Sequence, residues 1–220
     1  MIETGILFND IHSFYDLNLI LSAVEISPAI PKTVYVDIPG ADGSLDLTEA
    51  HGEVKYEDRT HKFTLTMNPA DDLSEAAWEE KKTEVSNRLN GLACRITLDK
   101  DPDYYWTGRC NVDSYKSDRR LRQFVVAARV RPYKYKQNET TKTFALTETE
   151  RTVSVLNSRR SVCPVITCTD DNTVIVFKGN TFKFNAGQYQ NLKIRFTEGI
   201  NQVTISGTGQ VTFTYQEADL

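Results

Sequence analysis

The side chains able to do chemistry in this chain are few, and their spacing limits what they can do together. His12, His51 and His61 never stand four apart on one helical face, and none lies beside a cysteine pair at metal-ligand spacing, which argues against a zinc site. Cys163 and Cys168 are five apart. On a strand an odd separation sends two thiols to opposite faces, so they cannot chelate one ion. The four cysteines read as buried apolar thiols. Nucleophilic catalysis needs a base and an orienting group around the nucleophile, and the chain shows no glycine–serine elbow, no catalytic cysteine setting and no phosphate loop. No catalytic, cofactor-binding or metal-ligating residue is assigned, and no enzymatic activity is expected.

The carboxylate pairs Asp42 with Asp46, Asp71 with Asp72, and Asp170 with Asp171 sit in expected turns or a helix cap, where solvated carboxylates are ordinary. Asp99, Asp101 and Asp103 imitate the start of a calcium loop, but Tyr104 takes the place of the required glycine and no glutamate closes the loop. Tyr104, Tyr105 and Trp106 could stack a sugar or a base. Neighbours on a strand face opposite sides, however, so at least one of the three belongs to the core. Arg119, Arg120 and Arg122 beside Asp118 read as a solvated hairpin turn, and Asn138-Glu139-Thr140 is a glycosylation tripeptide without meaning unless the chain is secreted. The first 14 residues lack the basic and apolar regions of a signal peptide, and no stretch approaches the roughly 20 apolar residues that span a bilayer. Synthesis in the cytoplasm without membrane insertion is expected.

Which elements hold these side chains follows from composition and periodicity. With 220 residues, 40% hydrophobic and 25% charged, the chain can bury a core as one or two domains. Its 26 basic and 30 acidic residues leave a net charge of −4, which argues against a dedicated nucleic-acid binder. The acidic excess falls in residues 1–134, while the remainder is nearly balanced, so two units are expected with a boundary there. Trp78, Val85, Leu89 and Leu92 recur with helical period between acidic caps and Asn90-Gly91, which predicts one amphipathic helix over about residues 74–90. Residues 33–38, 53–56, 62–67, 94–98, 104–113 and 121–130 read as strands, broken by turns at residues 39–43 and 99–103. In the second half, residues 173–177, 181–184, 192–196, 202–206 and 210–215 alternate with glycines in the manner of a β-sandwich. Residues 135–149, rich in Lys, Thr, Asn and Glu, read as a linker or an exposed hairpin arm.

Taken in order, several segments resemble the distal tail protein family of long-tailed siphophages and related prophages. The opening Gly5-Ile6-Leu7-Phe8-Asn9-Asp10-Ile11-His12-Ser13 and Asp16-Leu17-Asn18-Leu19 are similar to its first strand and turn. The most specific match is Val36-Asp37-Ile38-Pro39-Gly40-Ala41-Asp42-Gly43-Ser44-Leu45-Asp46-Leu47-Thr48-Glu49, followed by Tyr56, Arg59 and Phe63. The Trp78 helix, Arg131-Pro132-Tyr133-Lys134-Tyr135, and Glu198-Gly199-Ile200-Asn201-Gln202-Val203 with Gly207, Gly209, Val211 and Tyr215 continue in family order.

The resemblance implies a mainly β protein. Residues 1–134 would be a tail-tube-like, ring-forming β-sandwich with one α-helix, and residues 135–220 a galectin-like β-sandwich. It implies a homo-hexameric ring at the distal end of the tail tube, at the virion tail tip, through which DNA passes without specific binding. Expected partners are the tail tube protein, a tail-associated lysin or tail-fibre hub protein, and receptor-binding or side-fibre proteins. No cofactor is implied. Gly40, Asp42, Gly43, Asp46 and Arg59 are the candidates for subunit contact or loop geometry, with Arg59 placed to pair with Asp42 or Asp46, either at a contact or as an ordinary surface ion pair.

The rival reading is a carbohydrate-binding adsorption module in the second half. Both tryptophans precede that half, and its Phe177, Phe182, Phe184, Phe196 and Phe213 read as core rather than as a sugar platform.

Overall fold

The computed structural model describes residues 5–50, 52–118 and 121–220. The expectations for the first four residues, His51, Arg119 and Arg120 fall outside the described residues. The protein is mainly β, and it divides into two compact units, Met1–Lys134 with Leu220, and Tyr135–Asp219.

The first unit runs through β1 (Ile6–Phe8), β2 (Ile11–His12), β3 (Leu19–Glu25), β4 (Tyr35–Asp37), β5 (Ser44–Asp46) and β6 (Arg59–Met67). It continues through α1 (Glu75–Leu89), β7 (Ala93–Leu98), β8 (Asp101–Ser117) and β9 (Arg122–Val130). Strands β2-β1-β7-β8-β9-β6-β3 lie side by side in that order, and all these pairs are antiparallel. Laid flat, β1 and β6 would stand about 19 Å apart, four strand spacings. Yet the Phe8 and Phe63 rings meet edge to face at 6.1 Å. The sheet therefore folds over onto itself and encloses its own core. Register shifts at Leu21/Ala23, Ile96/Leu98 and Val112/Ser114 mark where it bends, because an extra residue in one strand raises local twist. The ends of the path meet where Leu19 N–H donates to the Ser13 carbonyl at 2.7 Å.

The helix forms where its period and caps predict. Ser74 Oγ accepts from Ala77 N–H, and Gly91 supplies the left-handed exit at φ +80°. Trp78, Val85 and Leu89 are buried, with Trp78 against Phe124 at 4.7 Å between ring centres. Arg122 of β9 ties the helix start through Glu75 at 2.9 Å. Two expectations are corrected in this unit. Residues 53–56 form no strand, only an isolated bridge from Tyr56 to Pro31, because the pairing with residues 30–32 stops at two backbone hydrogen bonds. Asp101–Asp103 are already part of β8, since Leu98 lies opposite Asp101 and the turn is only Asp99-Lys100.

The second unit contains two four-stranded antiparallel sheets. Its strands are β10 (Lys134–Lys136), whose first residue belongs to the first unit, β11 (Thr140–Ala145), β12 (Arg151–Asn157), β13 (Val165–Cys168) and β14 (Thr173–Phe177), then β15 (Asn180–Phe184), β16 (Gly187–Gln190), β17 (Gly199–Ser206), β18 (Gln210–Tyr215) and β19 (Ala218–Asp219). One sheet is β11-β18-β13-β16 and the other β12-β17-β14-β15, while β10 and β19 pair with each other. Phe196 sits at the centre of the core, 5.8 Å from Phe177, 5.6 Å from Phe213 and 5.5 Å from Tyr215 between ring centres.

Residues 135–149 are neither linker nor arm. They contain β11, paired residue for residue with β18, and its polar sequence reflects a sheet face turned to water. Residues 192–196 are not a strand either. The chain turns there, with Ile194 N–H bonded to the Asn191 carbonyl and Leu192 exposed, and the strand is Gly187–Gln190 instead.

Candidate functional site

Between β3 and β6 the chain leaves the sheet and builds an arm from residues 26–57. The arm is tied internally from root to tip. At the root, Lys32 N–H donates to the Lys55 carbonyl at 2.7 Å and Glu57 N–H to the Ile30 carbonyl at 2.9 Å. Further out, Leu47 N–H reaches the Val34 carbonyl at 2.8 Å, and Val34 N–H reaches Thr48 Oγ1 at 3.1 Å. Strands β4 and β5 then pair through Tyr35 with Asp46, Val36 with Leu45 and Asp37 with Ser44.

The tip explains its sequence. Pro39 presets φ, Gly40 takes φ +83°, and Ala41 N–H closes onto the Ile38 carbonyl at 3.1 Å, which together make a type II turn. Gly43, at φ +74°, returns the chain to β5. Asp46 Oδ1 accepts Thr48 N–H at 2.9 Å, and hydrogen bonding by Thr48 holds this carboxyl below its ordinary range. Ser44 Oγ donates to Asp37 Oδ1 at 2.6 Å.

What the arm lacks is a core. Tyr35 is 59% exposed, Val36 43%, Ile38 48% and Leu45 49%. Tyr35 and Val36 are successive strand residues, so both faces of the hairpin show apolar side chains to water. A two-stranded hairpin is marginal by itself, and its exposed apolar side chains make it the candidate contact surface of this unit.

Within one chain Arg59 does not form the expected surface ion pair. It makes no ion pair with Asp42 or Asp46. Residues of β6 alternate, and Arg59 takes an inward position beneath the arm root, 6% exposed, with Nη1 3.4 Å from the Ser27 carbonyl. Burial lowers its pKa. Two residues along the same face, His61 is fully buried, its Nδ1 accepting Ser27 N–H at 3.2 Å and its ring edge-on to Trp106 at 5.2 Å. Burial first, and the nearby Arg59 charge second, push the imidazole down to about 4.

The remaining chemical candidates are engaged locally. Trp106 is core, Arg95 stacks 3.7 Å over Tyr105, and Lys134 lies 4.1 Å over Tyr104, so this aromatic cluster presents no open platform. Asp71 takes the Asn18 amide, Asp72 takes Ser74 N–H, and Asp171 takes Ala186 N–H. No group of three metal-ligating side chains occurs among the described residues.

Two features escape linear reading. Cys94 Sγ and Cys110 Sγ lie 3.2 Å apart on adjacent strands; the bond to Cys94, then burial, drive the Cys110 thiol upward, while the same bond lowers Cys94. The other is a groove of about 700 Å³ across β7, β8 and β9, lined by Arg95, Arg109, Arg129 and Arg131. Only strand register could have assembled these four, because they lie up to 36 positions apart in the chain.

No protein-family model matches the chain, and no curated protein matches it. Among solved structures, it is similar to the crystal structure of the SPP1 Dit (gp 19.1) protein, described as a paradigm of the hub adsorption apparatus in phages that infect Gram-positive bacteria. The likeness has a TM-score of 0.71 at 14% identity and covers 99% of each chain, and what it shows is a shared fold.

Proposed function

We propose that the chain is a structural protein of a phage tail, forming the distal tail component that joins the tail tube to the tip. The observation that carries this reading is the fold shared with SPP1 Dit over the whole of both chains. Six copies close into a ring around the DNA channel, with the first unit, tail-tube-like, as the ring-forming part and Gly40, Asp42, Gly43 and Asp46 on the arm at the subunit contact. The second unit is a galectin-like sandwich that meets partner proteins. The tail tube protein lies on one side, a tail-associated lysin or tail-fibre hub protein on the other, and receptor-binding or side-fibre proteins dock on the outer units. The protein acts without enzymatic activity and resides at the virion tail tip after assembly in the host cytoplasm.

The two-faced apolar arm supports an obligate assembly, since a free subunit leaves it in water. The acidic excess of residues 1–134 suits a channel that must not retain DNA. No helix among the described residues is long and apolar enough to cross a membrane. The carbohydrate reading gains no support from the second unit, where Phe177, Phe184, Phe196 and Phe213 are buried and Phe182 packs against them.

Light scattering and native mass spectrometry of the purified protein over a range of concentrations test the proposal. Hexamers or paired hexamers, seen as open rings in negative stain, are expected. A monomer at every concentration that binds cell-wall glycan through its second unit would overturn it in favour of the adsorption module.

A further inference from the structure

The arginine groove and the arm have opposite chemistry. In the β8–β9 register Arg109 stands directly opposite Arg129, both on the outer face and both exposed. Like charges placed directly opposite each other across a sheet destabilise it. Arg131 adds a third exposed guanidinium at the same groove, and Arg95 a fourth charge from β7. Against these, the one carboxylate lining the groove among the described residues is Asp58, whose Oδ2 accepts Arg129 Nε at 3.1 Å. Asp58 thus answers Arg129, and among the described residues no carboxylate ion pair is made by Arg109 or Arg131.

The arm carries the complement. Residues 26–57 contain Asp37, Asp42, Asp46, Glu49, Glu53 and Glu57 against Lys32 and Lys55. The hairpin tip is absent from its own groove, whose lining includes no residue of β4 or β5. An acidic, apolar hairpin without cover and a basic groove therefore occur on the same chain but do not meet within it.

We propose that the acidic arm of one copy seats in the arginine groove of the next. The contact joins two different patches, so it is heterologous, and repetition of such a contact closes a ring when the rotation between copies allows. Guanidinium–carboxylate pairs give it register, and burial of Tyr35, Val36, Ile38 and Leu45 gives it strength. This inference rests on the ring reading above and names the surfaces that would make it.

Two charge-reversed full-length variants test it. One, Asp42→Arg with Glu49→Arg, makes the arm basic at two carboxylates that hold no turn of the hairpin. The other, Arg109→Glu with Arg131→Glu, makes the groove acidic. All these side chains are exposed, and thermal melting checks that each variant folds like the wild type.

Each variant alone should need at least tenfold higher concentration than the wild type to assemble. An equimolar mixture should regain the wild-type mass with alternating composition, because each basic arm then meets an acidic groove and each acidic arm a basic one. A variant that assembles alone like the wild type, or a mixture that stays dissociated while the wild type forms rings, overturns this contact and leaves the ring reading standing. Binding of duplex DNA by the wild type that the groove variant abolishes without altering ring formation would reassign the groove to nucleic acid and also overturn the proposal. A wild type that remains monomeric removes the ring reading, and this contact with it.

Discussion

His61 makes the stability of the first unit depend on pH. In the unfolded chain its imidazole takes a proton near the ordinary 6.5, whereas in the fold it does so only at about 4, because the ring is buried and Arg59 lies close. Between these values the unfolded state holds more protons than the folded one. Stability from this group is therefore complete above about pH 6.5 and is lost as pH falls towards 4, to a limit of about 3 kcal/mol. His61→Gln keeps an acceptor for Ser27 N–H but removes the titration. Urea unfolding at about pH 4.5 and about pH 7.5 should show a smaller acid loss for the variant than for the wild type. An equal loss in both would assign the acid sensitivity to other groups. Residue identity alone did not reveal this role: His61 and Arg59 acquire it from sharing one inward face of β6, and the expected surface partner for Arg59 gave way to a buried position.

At the scale of elements, the arm contributes order without contributing to the core. None of its apolar side chains is among the buried residues that form the first unit's core. Replacing residues 35–46 with a short Gly-Ser linker should shift the unfolding midpoint by no more than about 2 °C, because the surface removed is already exposed. The same change should abolish ring formation in native mass spectrometry. A large drop in the midpoint would mean that the arm is part of the fold rather than an accessory to it.

Elements were legible in the sequence where the local signal matched the final environment. The helix was, because Trp78, Val85 and Leu89 keep the 3.6 period and Ser74 and Gly91 mark its ends. The Pro39-Gly40 turn was, since its chemistry is wholly local. Strand β11 was not, because most of its residues face water in the sheet and therefore look like linker. Leu192 misled in the other direction, an apolar residue 81% exposed at a turn. The arginine groove was illegible in principle, being a product of register between three strands.

The whole molecule has two separate cores, one containing Phe63 and the other Phe213. Truncation of either ring to alanine should cost about 3–5 kcal/mol in its own unit. The two effects can be told apart because both tryptophans, Trp78 and Trp106, lie in the first unit. Phe63→Ala should move the tryptophan-fluorescence transition, while Phe213→Ala should leave it in place and change only the circular dichroism signal of the β-rich second unit. Coincident shifts in both signals for both variants would show a single cooperative unit instead.

A hairpin that shows apolar side chains on both faces also makes the unassembled chain the adhesive species. Under the proposed head-to-tail contact, an incomplete array of copies leaves one such hairpin in water however many copies it holds, and only the closed form leaves none. An open array then carries the cost of one exposed hairpin whatever its length, a cost that closure removes. The rotation at each contact then sets how many copies close, and the hairpin's aversion to water favours closing.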